Sequence, residues 1–263
     1  MSVSKRVGAG MGRACAGLVA ALSVAAAPLP DARRSGFEYM SPQTQAMQRD
    51  DGLNPGMLWV ADGEGLWNQK AGRADTSCAE CHGDAKLSMR GVAARSPAFD
   101  AGLQRPVDLR QRINQCRQSH QQAAPLAPES AEGLSLEAYV AHQSRDLPMA
   151  PDVDPRLGPF RQRGAQLYAQ RLGQLNLSCA QCHDDLPGRR LGSSPIPQAH
   201  ATGYPLYRLE WQGLGSLQRR LRNCMAGVRA EPFAYGAAEL VELELYLAQR
   251  SRGMPLETPA VRP

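Results

Sequence analysis

Residues 77–82 (SCAECH) and residues 178–183 (SCAQCH) are the two stretches that decide the fold. Each contains C-x-x-C-H, which is typical of covalent c-type haem attachment: the two thiols add to the porphyrin vinyl groups and the adjacent histidine ligates iron. A redox C-x-x-C pair needs no histidine, and a zinc ribbon needs two pairs that close on one ion, so both alternatives are less favoured. The motifs predict two covalently bound c-type haems. The predicted thioether cysteines are Cys78, Cys81, Cys179 and Cys182, and the predicted proximal iron ligands are His82 and His183.

The first 27 residues have the composition of a secretory signal peptide. They hold three basic residues and no acidic one, and an apolar run over residues 14–27 ends in an Ala-x-Ala pattern. This run is shorter than a membrane-spanning helix requires, which favours a cleaved signal peptide over a retained signal anchor. We therefore expect a periplasmic protein that loses Cys15 with its signal peptide and has no membrane span in the mature chain.

The charge of the chain gives no support for nucleic-acid binding. Removal of residues 1–27 lowers the formal net charge from +5 to +2, because three basic residues leave with them. The remaining Arg and Lys are scattered among acids, and only 5% of the residues are aromatic. A nucleic-acid interface needs a basic patch, so we expect no such partner.

The surroundings of the two motifs are duplicated. Apolar residues such as Leu240, Leu243 and Leu247 recur at helical spacing, strand signals are weak, and Gly and Pro lie mostly between the helical runs. This pattern predicts a mainly α, loop-rich fold of two tandem cytochrome c-like domains, each built around its own covalently attached haem. The matching segments are 63–67 (GEGLW) with 164–168 (GAQLY), 136–141 (LEAYVA) with 243–248 (LELYLA), and 144–148 (SRDLP) with 251–255 (SRGMP).

The repeat also predicts domain boundaries. Four prolines in residues 148–159 (PMAPDVDPRLGP) indicate a linker. The predicted organisation is a signal peptide over 1–27, a polar lead-in with little pattern over 28–50, a first domain over 51–150 and a second domain over 151–263.

Cys116 and Cys224 occupy equivalent positions in the two halves. Residues 109–116 (LRQRINQC) and 217–224 (LQRRLRNC) both have Leu seven, Arg four and an aliphatic residue three positions before the cysteine, on one face of a helix. The simplest chemical use of this position is a distal thiolate ligand to each haem iron, which would lower the reduction potential. A Cys116–Cys224 disulfide and a distal methionine stay open as alternatives. The candidate methionines are Met149, Met225 and Met254, none of which recurs in both halves.

Arg220 lies four residues before Cys224, and Arg112 stands at the matching place in the first half. Each arginine could pair with a haem propionate. Alternatively, Arg220 binds an anionic substrate next to the Cys224 sulfur. The histidines outside the motifs have no such context and are expected at the surface: His120, His142 and His200.

With these features, the chain resembles the SoxA family, the dihaem cytochrome subunits of the bacterial thiosulfate-oxidising Sox system. The resemblance covers nearly the whole mature chain and includes residues 50–59 (DDGLNPGMLW), both haem motifs, Cys116, and Arg220 before Cys224. It implies an L-cysteine S-thiosulfotransferase that forms a heterodimer with a monohaem SoxX-like cytochrome. Thiosulfate would be coupled oxidatively to a cysteine of a SoxYZ-like carrier, giving a cysteine S-thiosulfonate, while two electrons pass to a c-type cytochrome.

The resemblance also implies roles for single residues. Cys224 would ligate the second haem iron and carry a persulfide intermediate, Arg220 would bind substrate, and Cys116 would ligate the first haem iron. A guanidinium suits a small dianion such as thiosulfate, and two electrons require more than one one-electron haem.

Two further functions stay open from the sequence. One is a thiosulfate dehydrogenase-like dihaem cytochrome that forms tetrathionate without a carrier protein. The other is a plain dihaem electron carrier without a substrate site. Dependence on a carrier and the effect of Cys224→Ala would distinguish the three.

Overall fold

Ten α-helices carry most of the regular structure in the described part of the chain, which comprises residues 1–4, 6, 8 and 31–263 of a computed structural model. Most of the predicted signal peptide lies outside these residues. Arg33–Pro263 forms a single compact unit. Its helices are α1 (Pro42–Arg49), α2 (Gly56–Asn68), α3 (Cys78–His82), α4 (Ala85–Ser88), α5 (Leu109–Cys116), α6 (Ala131–His142), α7 (Gly158–Ala169), α8 (Cys179–His183), α9 (Leu217–Gly227) and α10 (Ala238–Arg250).

Short strands lie between the helices. One antiparallel hairpin over residues 98–107 stands directly before α5, and another over residues 206–215 stands directly before α9. Residues 260–262 pair in parallel with residues 206–208. Strands of two or three residues are too short to show an alternating pattern in sequence, which explains their weak signals. The strands are β1 (Ala98–Asp100), β2 (Arg105–Val107), β3 (Arg190–Leu191), β4 (Ser194–Pro195), β5 (Leu206–Arg208), β6 (Gly213–Gly215) and β7 (Ala260–Arg262).

The predicted repeat is present in the order of elements. The first half runs α2, α3, β1–β2, α5 and α6, and the second runs α7, α8, β5–β6, α9 and α10. The prediction of a mainly α fold is confirmed.

A glycine at the same position of each half allows two helices to cross closely. A Cβ at Gly63 of α2 would lie 2.1 Å from the backbone oxygen of Ser135 in α6, and one at Gly164 of α7 would lie 2.0 Å from that of Glu242 in α10. No side chain fits in either contact. The glycines of the duplicated segments therefore position the helix that precedes each motif against the closing helix.

The closing helices supply much of the core. Leu240, Leu243 and Leu247 of α10 are at most 4% exposed and pack with Tyr168, while Tyr139 of α6 packs with the first-half core. Burial of each such leucine side chain is worth about 1.5–3 kcal/mol. The helical spacing of these leucines in sequence thus reflects one buried face.

The two halves join through the segments that follow the closing helices. Asp146 N donates to Leu256 O at 2.8 Å, and its repeat equivalent Gly253 N donates to Met149 O at 2.7 Å. Met149 N donates to Met254 O at 2.8 Å, and Leu256 N donates to Leu147 O at 2.9 Å. Each of these hydrogen bonds has a counterpart in which the two halves exchange roles. An approximate two-fold axis therefore relates the two halves at this set of backbone hydrogen bonds.

The region of the predicted linker is packed. A 3₁₀ turn over Pro155–Leu157 leads straight into α7, and Leu157 is fully buried. The exact domain boundaries stay predictions, because both halves belong to one compact unit.

The described part of the lead-in, residues 31–50, has more regular structure than the sequence predicts. A 3₁₀ turn at Gly36–Tyr39 and α1 form there, with Ser41 capping α1 by accepting from Thr44 N at 3.2 Å. The side chain of Gln48 accepts from Val261 N at 3.0 Å and so ties α1 to β7. Because α1 is short and polar, it has no apolar periodicity for sequence reasoning to find.

Within the described residues, none of the helices has the length and apolar character needed to cross a membrane.

Candidate functional site

The serine before each C-x-x-C-H motif fixes a five-residue helix. Ser77 Oγ accepts from Glu80 N at 3.1 Å, and Glu80 Oε2 accepts from Ser77 N at 2.7 Å. Ser178 and Gln181 make the same reciprocal pair at 3.2 and 2.9 Å. This capping box begins α3 and α8 at the first cysteine of each motif and so presents both thiols and the histidine from one turn of helix.

The first motif opens into a cavity of about 270 Å³. Cys78, Cys81, His82 and Cys116 all line it, together with apolar side chains that include Leu109, Ile113 and Val140. The predicted thioether cysteines, the proximal histidine and the candidate distal cysteine therefore meet at one apolar cavity, which is the donor set and environment that a c-type haem requires. Trp67 lies beside the histidine, with ring centroids 5.7 Å apart.

The arginine of the first site is paired with an acid. Arg112 Nη1 lies 2.7 Å from Asp100 Oδ2, and Asp100 is held by the hairpin that precedes α5. Burial raises the pKa of the Cys116 thiol, although the positive charge of Arg112 opposes the shift. The Cys116 thiol therefore has a raised pKa, and the charge of the nearby Arg112 is balanced by Asp100.

The second motif is brought together with Cys224. Coulombic interactions link the Cys224 thiol with Cys179 and His183, and the His183 side chain forms a hydrogen bond with Cys224. His183 Nδ1 donates to Pro197 O at 2.7 Å. A carbonyl partner at Nδ1 orients the ring and leaves Nε2 for a metal, as in other histidine-ligated metal sites. Cys179, Cys182, His183 and Cys224 thus form a second donor set of the same kind.

The charges around Cys224 differ from those around Cys116. Burial opposes ionisation of the Cys224 thiol, but the hydrogen bond with His183 and the positive charges of Arg220 and Arg208 together hold its pKa below the ordinary value. Arg220 makes no carboxylate ion pair among the described residues, and its pKa is raised: burial opposes the rise, while Cys224, Tyr204 and the carboxylate of Glu210 favour it. A thiol and a guanidinium without a carboxylate ion pair therefore interact electrostatically.

The alternatives for the two cysteines can be compared with the structure. Cys116 and Cys224 are both unbridged and lie against different motifs, so the structure does not contain the disulfide. Met149 lies in a buried cluster with Ala94 and Leu256, and Met225 lies in the second-half core.

The histidines outside the motifs are not all at the surface as expected. His120 is exposed. His142 is half-buried, its Nε2 has no hydrogen-bond partner, and burial lowers its pKa. The difference arises because His142 ends the buried closing helix α6.

Sequence reasoning missed two residues of the second site. Tyr204 and Arg208 both interact electrostatically with Arg220 and Cys224. They lie in and just before β5, far from the motif in sequence. A signal was present, because Arg208 lies sixteen residues before Cys224 and Asp100 lies sixteen residues before Cys116.

The fold and these two sites define a c-type cytochrome with two tandem cytochrome c domains. The family model described as SoxA/TsdA, cytochrome c domain, matches residues 62–149 and 163–256. The chain belongs to the SoxA family, as the sequence resemblance predicted.

Individual relatives agree with this assignment. The chain is 38% identical to the L-cysteine S-thiosulfotransferase subunit SoxA of Pseudaminobacter salicylatoxidans, over 87% of this chain and 80% of the relative. It is 35% identical to the SoxA subunit of Rhodovulum sulfidophilum, over 88% and 81%. Among solved structures, SoxXA from P. pantotrophus matches with a TM-score of 0.85 at 31% identity, over 88% of this chain and 87% of that chain.

Membership of a cytochrome c family implies covalently bound c-type haem. The residues of both sites fit that group.

Proposed function

We propose that this protein is the SoxA-type subunit of an L-cysteine S-thiosulfotransferase. It would oxidatively couple thiosulfate to a carrier cysteine, as the names of its SoxA relatives support. The observation that carries the proposal is the meeting of Cys224, His183 and an unpaired Arg220 at the second motif.

The reaction is balanced as follows. A carrier thiol and thiosulfate form one sulfur–sulfur bond and release one proton and two electrons, which leaves a cysteine S-thiosulfonate on the carrier. The carrier would be a SoxYZ-like protein. The bound haems would take the electrons one at a time and pass them to a c-type cytochrome.

The proposed site residues take separate roles. Cys78, Cys81, Cys179 and Cys182 would hold two haems by thioether bonds, and His82 and His183 would be the proximal ligands. Cys116 would be the distal ligand of the first haem. Cys224 would be the distal ligand of the second haem and the sulfur that carries a persulfide intermediate, and Arg220 would bind thiosulfate.

The protein would act with a partner outside the cytoplasm. The match to a SoxXA structure supports a heterodimer with a SoxX-like monohaem cytochrome. Covalent haem attachment and the composition of residues 1–27 support a periplasmic location after removal of a signal peptide.

A tetrathionate-forming thiosulfate dehydrogenase is the second candidate, because the matching family model covers both SoxA and TsdA proteins. The haem-loaded protein with its SoxX-like partner should be assayed with thiosulfate and cytochrome c, with and without a SoxYZ-like carrier. We expect reduction of cytochrome c that requires the carrier, and a thiosulfonate adduct on the carrier cysteine by mass spectrometry. Tetrathionate formation at the same rate without the carrier would instead support the dehydrogenase.

A further inference from the structure

The two hairpins of the repeat carry opposite charge at one equivalent position. Ala98 lies opposite Val107 in the first hairpin, and Leu206 lies opposite Gly215 in the second. Each hairpin is followed by one capping residue and then by the helix that bears the candidate distal cysteine. This shared register makes Asp100 of β1 equivalent to Arg208 of β5.

Because Arg208 replaces Asp100, the arginine of the following helix interacts with a different charge in each half. In the first half, Asp100 neutralises Arg112 at 2.7 Å. In the second half, the same two positions hold Arg208 and Arg220, whose mutual repulsion adds to burial in lowering the pKa of Arg208. Two guanidinium groups therefore occupy the positions at which the first half has an ion pair, and both interact electrostatically with the Cys224 thiol.

Arg208 is held firmly in this position. It is only 7% exposed. Its Nε donates to Pro263 O at 3.0 Å, and its guanidinium lies 5.0 Å from the Trp211 ring centroid. Like charges fixed side by side repel one another, and a dianion between them removes this repulsion. A preorganised pair also loses little freedom on binding.

We infer that Arg208 is a second substrate-binding residue, which with Arg220 forms a site for a dianion beside the Cys224 sulfur. The inference rests on the proposed function only where it names thiosulfate as that dianion. Two forked donors match the several oxygens of a sulfonate-type anion.

The carboxylate of Glu210 reduces the net positive charge of the proposed anion site. Its Oε1 lies 3.2 Å from Arg208 Nη2, and its side chain is 55% exposed at the edge of the hairpin. The carboxylate competes with an anion for Arg208. Removing its charge should therefore strengthen anion binding without a change in the core.

The test uses the haem-loaded protein with its SoxX-like partner. Thiosulfate binding is measured by calorimetric titration without carrier, and KM and kcat for thiosulfate are measured with the carrier. We expect Arg208→Gln to raise both the Kd and the KM for thiosulfate by about tenfold or more, with kcat changed less than about threefold. Arg208→Lys should restore part of the loss, and Glu210→Gln should lower the Kd.

The matched control is Arg219→Gln. Arg219 lies on the same helix, and its guanidinium lies 4.0 Å from the centroid of the Trp211 ring, which Arg208 also contacts. The Arg219→Gln variant should bind thiosulfate with the same Kd as the unmodified protein. Equal loss in Arg219→Gln and Arg208→Gln would overturn the inference by showing a general charge effect.

The outcomes separate this inference from the proposed function. Unchanged thiosulfate binding in both Arg208→Gln and Glu210→Gln would overturn the inference, while carrier-dependent turnover would still support the proposed function. Thiosulfate binding that depends on Arg208, in a protein that shows no carrier-dependent turnover, would support the inference and count against the proposed function. Because Glu210 is exposed, its variant keeps the test decisive even if Arg208→Gln fails to fold.

Discussion

The two halves of the molecule share a scaffold but surround their equivalent cysteines with different charge. In the first half, Arg112 is paired with Asp100, and burial raises the pKa of Cys116. In the second half, Arg220 has no carboxylate partner among the described residues, and its charge helps to hold the pKa of Cys224 low despite burial. We infer that duplication has produced one site suited to electron transfer and one suited to an anionic sulfur substrate.

The largest expected difference between the halves concerns the cysteines themselves. Cys224→Ala should reduce carrier-dependent thiosulfate oxidation by about 10³-fold or more, because under the proposed function it removes the sulfur that acts on the substrate. Cys116→Ala, the matched control, should lose much less activity. Both variants should retain both haems, as measured by absorption spectra and mass spectrometry. Full activity in Cys224→Ala would remove the catalytic role.

The second expected difference concerns the equivalent arginines. Arg220→Gln should raise the KM for thiosulfate by about 10- to 100-fold, as expected for loss of a hydrogen bond to a charged group. Arg112→Gln should leave the KM unchanged and cost less than about 1 kcal/mol of stability, since Arg112 is 43% exposed in its ion pair. Steady-state kinetics and thermal unfolding check both. An unchanged thiosulfate dependence in Arg220→Gln would instead support pairing of Arg220 with a haem propionate.

A third comparison concerns reduction potentials. Cys116→Met should raise the potential of the first haem by roughly 100 mV or more, because a neutral thioether replaces an anionic ligand. The potential of the second haem should hardly move, and the kinetic loss should be mild. Redox potentiometry measures both potentials in one sample. If neither potential moves, Cys116 is no ligand.

The smallest expected effects come from a feature that the halves share. Glu137 and Glu244 stand at equivalent positions of the closing helices. Burial raises the pKa of Glu137 to about 8, although Arg110 opposes the shift while the carboxylates of Asp108 and Glu129 add to it. Burial also raises the pKa of Glu244 well above its ordinary value.

The sign of the resulting stability change follows from proton binding. Folded Glu137 keeps its proton while the unfolded chain loses it, so the free energy of unfolding should fall as pH rises from about 4.5 to about 8. Glu137→Gln should therefore raise Tm at pH 8 by a few degrees, on the order of 1 kcal/mol, and change it little at pH 4. Glu244→Gln should act in the same direction. A Tm that falls at pH 8 in both variants would show that the carboxylates are ionised and stabilising.

The sequence predicted what depends on local spacing. The duplicated segments were predicted, and two of their features have matching contacts in the structure: the serines that cap each motif helix and the glycines at 63 and 164. The pairing of Cys116 and Cys224 with separate motifs also followed from the repeat.

What the sequence could not predict depends on contacts between distant segments. Strands of three residues have no readable period, so the sequence did not predict the hairpins or their register. The ladder between Asp146 and Leu256 joins backbone groups, which side-chain patterns do not report. Glu137 likewise shares a cavity with Leu217 and Glu244 of the other half, a contact between distant segments.

The central claim is that Cys224 is the distal ligand of the second haem iron. Low-temperature electron paramagnetic resonance of the oxidised, haem-loaded protein, recorded beside its Cys224→Ala variant, tests it most directly. We expect two low-spin signals of the histidine/thiolate type, one of which disappears in the variant. Signals of the histidine/methionine type that the substitution leaves unchanged would contradict the claim and make the protein an electron carrier.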